Sequence, residues 1–193
     1  MITRRLGNSD LNITPIGYGA WAIGGGGWAF GWGPQDDADS IASIHEAIDA
    51  GINWIDTAAI YGLGHSEMVV ARALEGRSKR PYVFTKCARI WNDQREVGKS
   101  LKRESIRREC EASLKRLKVD VIDLYQMHWP EPDEDIEEGW ETMARLKEEG
   151  KVRYLGITHY TVGSHEQLEK IIRSEKIDFV QFNYSIRVRN AEN

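Results

Sequence analysis

Cysteine is scarce in this chain. Its 193 residues include two, Cys87 and Cys110, too few for a disulfide framework and in keeping with a reducing cytosol, so a cytoplasmic location is expected. Metal-binding patterns are missing as well. There is no Cys-x-x-Cys, and the five histidines (His45, His65, His128, His159 and His165) show no ligand spacing, so no metal site is expected. Neither sign of charge dominates: 26 Lys+Arg against 30 Asp+Glu leave a net charge of −4, which argues against a dedicated nucleic-acid binder. A hydrophobic fraction of 41% argues against a disordered chain. No secretory leader is legible, because Arg4 and Arg5 are followed by Asn8, Ser9 and Asp10 instead of an apolar run. Residues Leu11 to Gln35 carry no charge, yet Ile16 to Gly33 holds eight glycines, four of them consecutive. Such a stretch is a poor helix and weakly hydrophobic, so a soluble protein with no membrane partner is expected.

What the chain does contain is alternation. Thr3 to Thr14, with a turn at Gly7-Asn8-Ser9-Asp10, reads as a small β-hairpin. Strand-like runs follow at Ile16–Ala20, Trp54–Asp56, Val83–Lys86, Ile122–Gln126, Tyr154–Thr158 and Phe179–Phe182. Between them lie amphipathic helical patterns at Ser40–Ala50, Glu67–Leu74, Ile136–Glu149 and Glu166–Arg173. A further one sets Ile106, Cys110, Leu114 and Leu117 on one face and turns Arg107, Arg108, Glu111, Lys115 and Arg116 outward. Gly51 and Gly150 stand where helix C-caps belong. Strands alternating with helices mean a parallel α/β sheet, either doubly wound or a barrel. A (β/α)₈ barrel takes roughly 31 residues per unit, so this length holds about six units of one. No linker or internal repeat suggests a second domain, and residues 1–193 read as a single one.

Gly17-Tyr18-Gly19-Ala20-Trp21-Ala22 matches the G-x-G-x-x-A dinucleotide fingerprint. That motif works only where a helix opens at once, so that its N-terminus meets the pyrophosphate. Here Gly24 to Gly27 intervene and the next helical pattern starts near residue 38. A strand running into a glycine-rich loop is the better reading.

The polar residues at strand ends carry more information. Asp56, Lys86 and His128 each close a strand-like run, and Tyr61 follows Asp56 by five residues. Taken singly, each has a bland explanation: a turn former, a solvated lysine, a structural histidine, a packed tyrosine. In a barrel of parallel strands, however, these ends point to one mouth, where catalytic groups gather.

The chain resembles the aldo-keto reductase family. The matching stretches are Asp56-Thr57-Ala58 with Tyr61-Gly62, Thr85-Lys86, Ser113-Leu114-Lys115-Arg116-Leu117 with Asp123-Leu124, and His128-Trp129-Pro130. Gly150-Lys151-Val152-Arg153 running into Leu155-Gly156-Ile157-Thr158 completes the set. The glycine-rich loop and Tyr61-Gly62-Leu63-Gly64-His65-Ser66-Glu67 look most like bacterial members. The resemblance implies a TIM-type (β/α)₈ barrel, of which the first six strands are present behind an N-terminal hairpin. It implies an NADP-dependent alcohol dehydrogenase or carbonyl reductase, with a small aldehyde or ketone as substrate. NADPH is the usual cofactor, with NADH left open. Tyr61 would give the proton, Lys86 would lower the phenol's pKa, Asp56 would hold Lys86, and His128 would hydrogen-bond the substrate oxygen. Gly19, Ala20, Trp21, Asp56, Thr158, His159 and Gln181 would meet the cofactor. His159 stands where the family commonly has an amide, and an imidazole cannot offer donor and acceptor together. Trp21, Trp91 and Trp129 would wall the substrate pocket.

Two rival readings stay open: a nicotinamide-binding regulatory or sensor protein on the same fold, and an inactive fragment. Six strands leave the edges of Ile16–Ala20 and Phe179–Phe182 unpaired. Further chain or self-association is therefore expected to cover them, and a polypeptide ending at Asn193 is not expected to be a stable, active monomer. The seventh and eighth units, which in the family hold the adenosine 2′-phosphate, have no counterpart to read here.

Overall fold

The computed structural model describes residues 1–131, 133–159, 173 and 177–189. An antiparallel pair, β1 (Arg4–Arg5) and β2 (Asn12–Ile13), forms the expected hairpin. The main sheet is built from β3 (Tyr18–Gly19), β4 (Trp54–Asp56), β5 (Tyr82–Cys87), β8 (Ile122–His128), β9 (Val152–His159) and β10 (Phe179–Phe182). All neighbours in it are parallel. A second hairpin, β6 (Arg89–Trp91) and β7 (Val97–Lys99), was not legible in the sequence. The described helices are α1 (Asp37–Asp49), α2 (His65–Leu74), α3 (Arg103–Leu117) and α4 (Ile136–Glu148). The helix expected over Glu166–Arg173 falls outside the described residues except at Arg173.

The strand order β3-β4-β5-β8-β9-β10 follows the chain without reversal. A doubly wound sheet would reverse direction at a switch point; this one does not. It also curls. Four strand spacings separate β4 from β10, which in a flat sheet is roughly 19 Å, yet the Gln181 side chain on β10 donates to Asp56 on β4 at 3.3 Å. The architecture is therefore an α/β fold of the TIM type.

Period-two alternation decides what faces inward. On β5, Val83 and Cys87 join the large apolar cluster beneath the helices, whereas Phe84 packs inside with Leu11 and Leu124. Trp54, Tyr82, Tyr154 and Phe179 surround that inner cluster, and Leu6 and Ile13 of the N-terminal segment plug it. One turn of alternation further along the same strands stand Asp56, Lys86, Gln126, His128, Thr158 and Gln181. The interior is thus apolar at the N-terminal ends of the strands and polar at their C-terminal ends.

Helix ends follow the sequence signals. Asp36 caps α1, its Oδ1 accepting from the N–H groups of Ala38 and Asp39 at 2.7 and 3.0 Å. Gly51 and Gly150 take φ of +97° and +75° just past α1 and α4. The face of α3 differs from the expected one in one place. Arg116 is not turned outward: its Nε donates at 2.6 Å to Glu67, a fully buried carboxylate that also accepts from the Thr85 hydroxyl. Glu109, on the same helix, is buried too, accepting from the Ala88 N–H at 2.9 Å and the Ser105 hydroxyl at 3.0 Å.

Burial, which outweighs those two hydrogen bonds and the nearby Arg108 and Arg116, lifts the Glu109 carboxyl from its ordinary range to about 7. A folded-state pKa above the unfolded one means that the native state holds the extra proton between them. Stability is then greatest below about pH 4 and falls as pH rises through about 7. Glu109→Gln keeps an acceptor for the Ala88 N–H and removes the titration. The variant is expected to melt higher than the parent at about pH 8 and to flatten the acid-to-alkaline decline. Parallel melting curves for both proteins across that range would show that Glu109 titrates elsewhere.

Candidate active site

Asp56, Lys86 and His128 stand at the C-terminal ends of β4, β5 and β8. Tyr61 lies in the loop that joins β4 to α2, a tight turn in which its own N–H bonds to the Ala58 carbonyl and its carbonyl accepts from Ser66. The glycine-rich loop is pressed onto this turn. A Cβ on Gly62 would stand 2.1 Å from the Gly24 carbonyl oxygen, and one on Gly24 2.7 Å from the Gly62 nitrogen. Those glycines are needed for backbone to pass against backbone beside Tyr61, a stricter demand than a flexible loop would make.

The Lys86 ammonium donates to both Asp56 oxygens, at 2.9 and 2.8 Å, and to the Thr57 carbonyl at 2.8 Å. It lies 5.1 Å from the centre of the Tyr61 ring. Gln126 and Gln181 each donate one further hydrogen bond to Asp56, at 3.2 and 3.3 Å. The carboxylate is thus surrounded by donors, and the lysine beneath it is 2% exposed. The His128 imidazole stands 5.9 Å from the Tyr61 ring, nearly perpendicular to it.

Burial alone would push the Lys86 ammonium down; Asp56 and Tyr61 together outweigh it, so Lys86 stays a cation through the neutral range. At Tyr61 burial is the largest influence and raises the phenol, Lys86 pulls it down, and Asp56 raises it again. The outcome lies above the ordinary value. The lysine acts in the expected direction, and the net result is set by the larger loss of water around the buried phenol. His128 is held well below the usual histidine range by burial, with the Lys86 and Arg89 cations adding to it, so its ring is neutral. Cys87, next to Lys86, is no activated thiol, since burial pushes it well up.

Asp56, Tyr61, Lys86 and His128 line one cavity of about 270 Å³ together with Gly19, Ala20, Trp21, Trp129, Thr158 and Gln181. A second cavity of about 290 Å³ shares Trp21, Tyr61, His128 and Trp129 with the first and adds Trp28, Phe30, Ile60, Val97 and Arg89. Tyr61 and His128 therefore stand on the boundary between a polar chamber and an aromatic one. The Thr158 hydroxyl and the Gln181 side-chain oxygen are buried in the polar chamber with no hydrogen-bond partner among the described residues. Two residues expected at the site are not placed in either chamber. Trp91, at the end of β6, lines a separate groove with Gly24–Gly27 and His65 while packing against the cluster that holds Tyr61. The side chain of His159 lies outside the described residues.

Sequence reasoning missed Gln126, Trp28 and Arg89. Gln126 was within reach, since it stands two residues before His128 on an inward-facing strand. Trp28 and Arg89 depend on how two loops fold over the mouth, for which no short-range signal exists.

The family model for the "Aldo/keto reductase family" matches residues 15–193. Aldo-keto reductase YhdN of Bacillus subtilis is 38% identical over 97% of this chain and 55% of its own length. NADH-specific methylglyoxal reductase of Escherichia coli is 37% identical over 97% of this chain and 60% of its own. Among solved structures, the glycerol dehydrogenase AKR11B4 of Gluconobacter oxydans superposes with a TM-score of 0.86 at 36% identity, covering 99% of this chain and 57% of that one. The holo form of aldo-keto reductase AKR11C1 of Bacillus halodurans gives 0.84 at 30% identity, covering 96% and 58%. The chain thus spans between half and two thirds of the length of these relatives.

Proposed function

The chain belongs to the aldo/keto reductase family, and from that premise we propose that it reduces aldehyde or ketone carbonyls to alcohols at the expense of a reduced nicotinamide. The observation that carries this reading is the joint placement of the Lys86 ammonium on both Asp56 oxygens and over the Tyr61 ring, with His128 facing that ring. Carbonyl reduction needs a proton at oxygen as well as a hydride at carbon. Tyr61, protonated at neutral pH, gives its hydroxyl proton to the carbonyl oxygen. The phenolate left behind is met by Lys86, which Asp56 keeps charged and in place. Neutral His128 donates an N–H to the same carbonyl oxygen and offsets the charge developing there. Trp21, Trp28 and Trp129 wall the aromatic chamber beside this boundary.

A nicotinamide, when bound, supplies the hydride. The polar chamber suits one. Its carboxamide has an N–H₂ and a C=O, which match the unpartnered Gln181 oxygen and Thr158 hydroxyl. Gly19, Ala20 and Trp21 border the same chamber. NADPH is proposed as the cofactor with NADH as the alternative, the Escherichia coli relative being named as NADH-specific. A cytoplasmic location is proposed on the two free, buried thiols; no described helix is long and apolar enough to cross a membrane.

The test is direct. The protein, with its β3 and β10 edges covered by further chain or self-association as expected above, is mixed with NADPH or NADH and a reactive aromatic aldehyde and is expected to consume the nicotinamide with formation of one alcohol per cofactor oxidised. A regulatory binder would instead quench tryptophan fluorescence on taking up the nicotinamide without consuming it. Consumption of neither cofactor with any aldehyde or ketone tried would overturn the reading.

A further inference from the structure

The chain leaves β5 and β8 through residues in the left-handed region, Ala88 at φ +76° and Trp129 at φ +68°. Side-chain-bearing residues avoid that region unless surrounding contacts hold them there. At Ala88 the holder is the buried Glu109 carboxylate on its N–H. At Trp129 the backbone N–H reaches the Thr158 carbonyl at 3.2 Å, but the peptide just before it has a more unusual partner. Arg89, the residue after Ala88, donates its Nε to the His128 carbonyl at 3.2 Å and lays its guanidinium carbon 4.1 Å from the centre of the Trp129 ring.

We propose that Arg89 is a positioning residue of the reaction described above, holding the His128–Trp129 turn so that the imidazole and the indole stand at fixed places on the boundary between the two chambers. The proposal rests on that reading of the site. Three observations support it. First, the geometry demands a guanidinium: a flat cation can stack on an indole and donate in its own plane at once, which an ammonium cannot. Second, the guanidinium is committed to this turn, with the Glu131 carboxylate as its ion-pair partner. Its side chain is 13% exposed, and its Nη2 makes no hydrogen bond among the described residues, the Glu131 carboxylate lying 3.6 Å off. The ion pair is long and partly exposed, so the guanidinium's closest contacts are the His128 carbonyl and the Trp129 ring. Third, Arg89 borders the aromatic chamber and not the one holding Asp56, Thr158 and Gln181. His128 and Trp129 line both chambers, but Thr158 and Gln181, the groups proposed to meet the carboxamide, line only the polar one, so the effect should fall mainly on the carbonyl substrate.

Steady-state kinetics of Arg89→Met and Arg89→Lys, with cofactor dissociation constants measured on the same preparations, decide the matter. Arg89→Met is expected to lower kcat/KM for the aldehyde by about 10²-fold, the scale of a misplacement near 1 Å. Its cofactor Kd should stay within about two-fold of the parent. Arg89→Lys, which keeps the charge, should lose nearly as much, and free guanidinium added to Arg89→Met should restore part of the loss. Should Arg89→Met not fold, Arg89→Lys carries the test alone. Unchanged kcat/KM in either variant, or a cofactor Kd weakened in step with it, overturns the proposal while the reductase reading stands. A parent protein that reduces no carbonyl overturns both.

Discussion

Replacing Tyr61 by phenylalanine is expected to lower turnover at least ~10²-fold, the usual scale for a positioned acid, with cofactor binding nearly unchanged. The phenyl ring keeps what the phenol ring contributes to packing. It can stack on Trp21, whose ring lies 5.5 Å away and 14° from parallel, and rest against Trp28 at 6.3 Å. The Lys86–Asp56 pair does not depend on the hydroxyl, because the ammonium is already bound to both carboxylate oxygens and the Thr57 carbonyl. What disappears is one proton at one place. No neighbour replaces it: His128, held well below the ordinary histidine range by burial, carries no spare proton at neutral pH. Turnover measured beside nicotinamide affinity separates the two effects, and near-normal turnover in Tyr61→Phe would exclude this residue as the donor.

How much of this was legible beforehand varies with the range of the forces involved. β4 and β10 have the expected bounds, Trp54–Asp56 and Phe179–Phe182, because a short β-prone run between turn or helix signals is a local pattern. The glycine-rich segment after β3 forms one short 3₁₀ turn at Ala22–Gly24 and no α-helix before Asp37, as the run of glycines requires. The convergence of Asp56, Tyr61, Lys86 and His128 could be anticipated because parallel strands send their ends to one side. The β6–β7 hairpin could not, since Ile90-Trp91 and Val97 are too brief a pattern to stand out. Arg116 and Glu109 show the limit most plainly. Both sit on α3 at positions where a charged side chain reads as solvated, and only their partners on α2 and in the turn after β5 draw them inside. The sign of the Tyr61 shift has the same origin. It turns on how deeply the phenol is buried, a property of the whole mouth of the barrel that no single motif records.

Replacing Lys86 by methionine is expected to lower turnover at least ~10²-fold as well and, unlike the first change, to move a pH profile. Three influences set the phenol: burial raises it, Lys86 lowers it, and Asp56 raises it. The substitution deletes the lowering influence and leaves both of the others, so the Tyr61 pKa must rise. In alcohol oxidation the phenolate receives the proton, so the rate climbs with pH through the Tyr61 pKa, and in the variant that climb is displaced to higher pH. In carbonyl reduction the phenol must be protonated, so the alkaline fall is displaced upward too. The plateau below it is lower, because the phenolate formed as the proton leaves no longer has a cation beside it. Removing one partner of a buried ion pair can destabilise by about 3–5 kcal/mol, so a folding defect could imitate the loss of rate. Asp56, however, keeps its hydrogen bonds from Gln126 and Gln181 and is 14% exposed at its side chain, which limits that penalty. The double variant Asp56→Asn with Lys86→Met removes the stranded charge. It should recover thermal stability but not turnover, and because Asp56 no longer raises the phenol, its oxidation profile should lie below that of Lys86→Met. A Lys86→Met protein that stays active with an unmoved oxidation profile would show that the lysine does not act on Tyr61 at all.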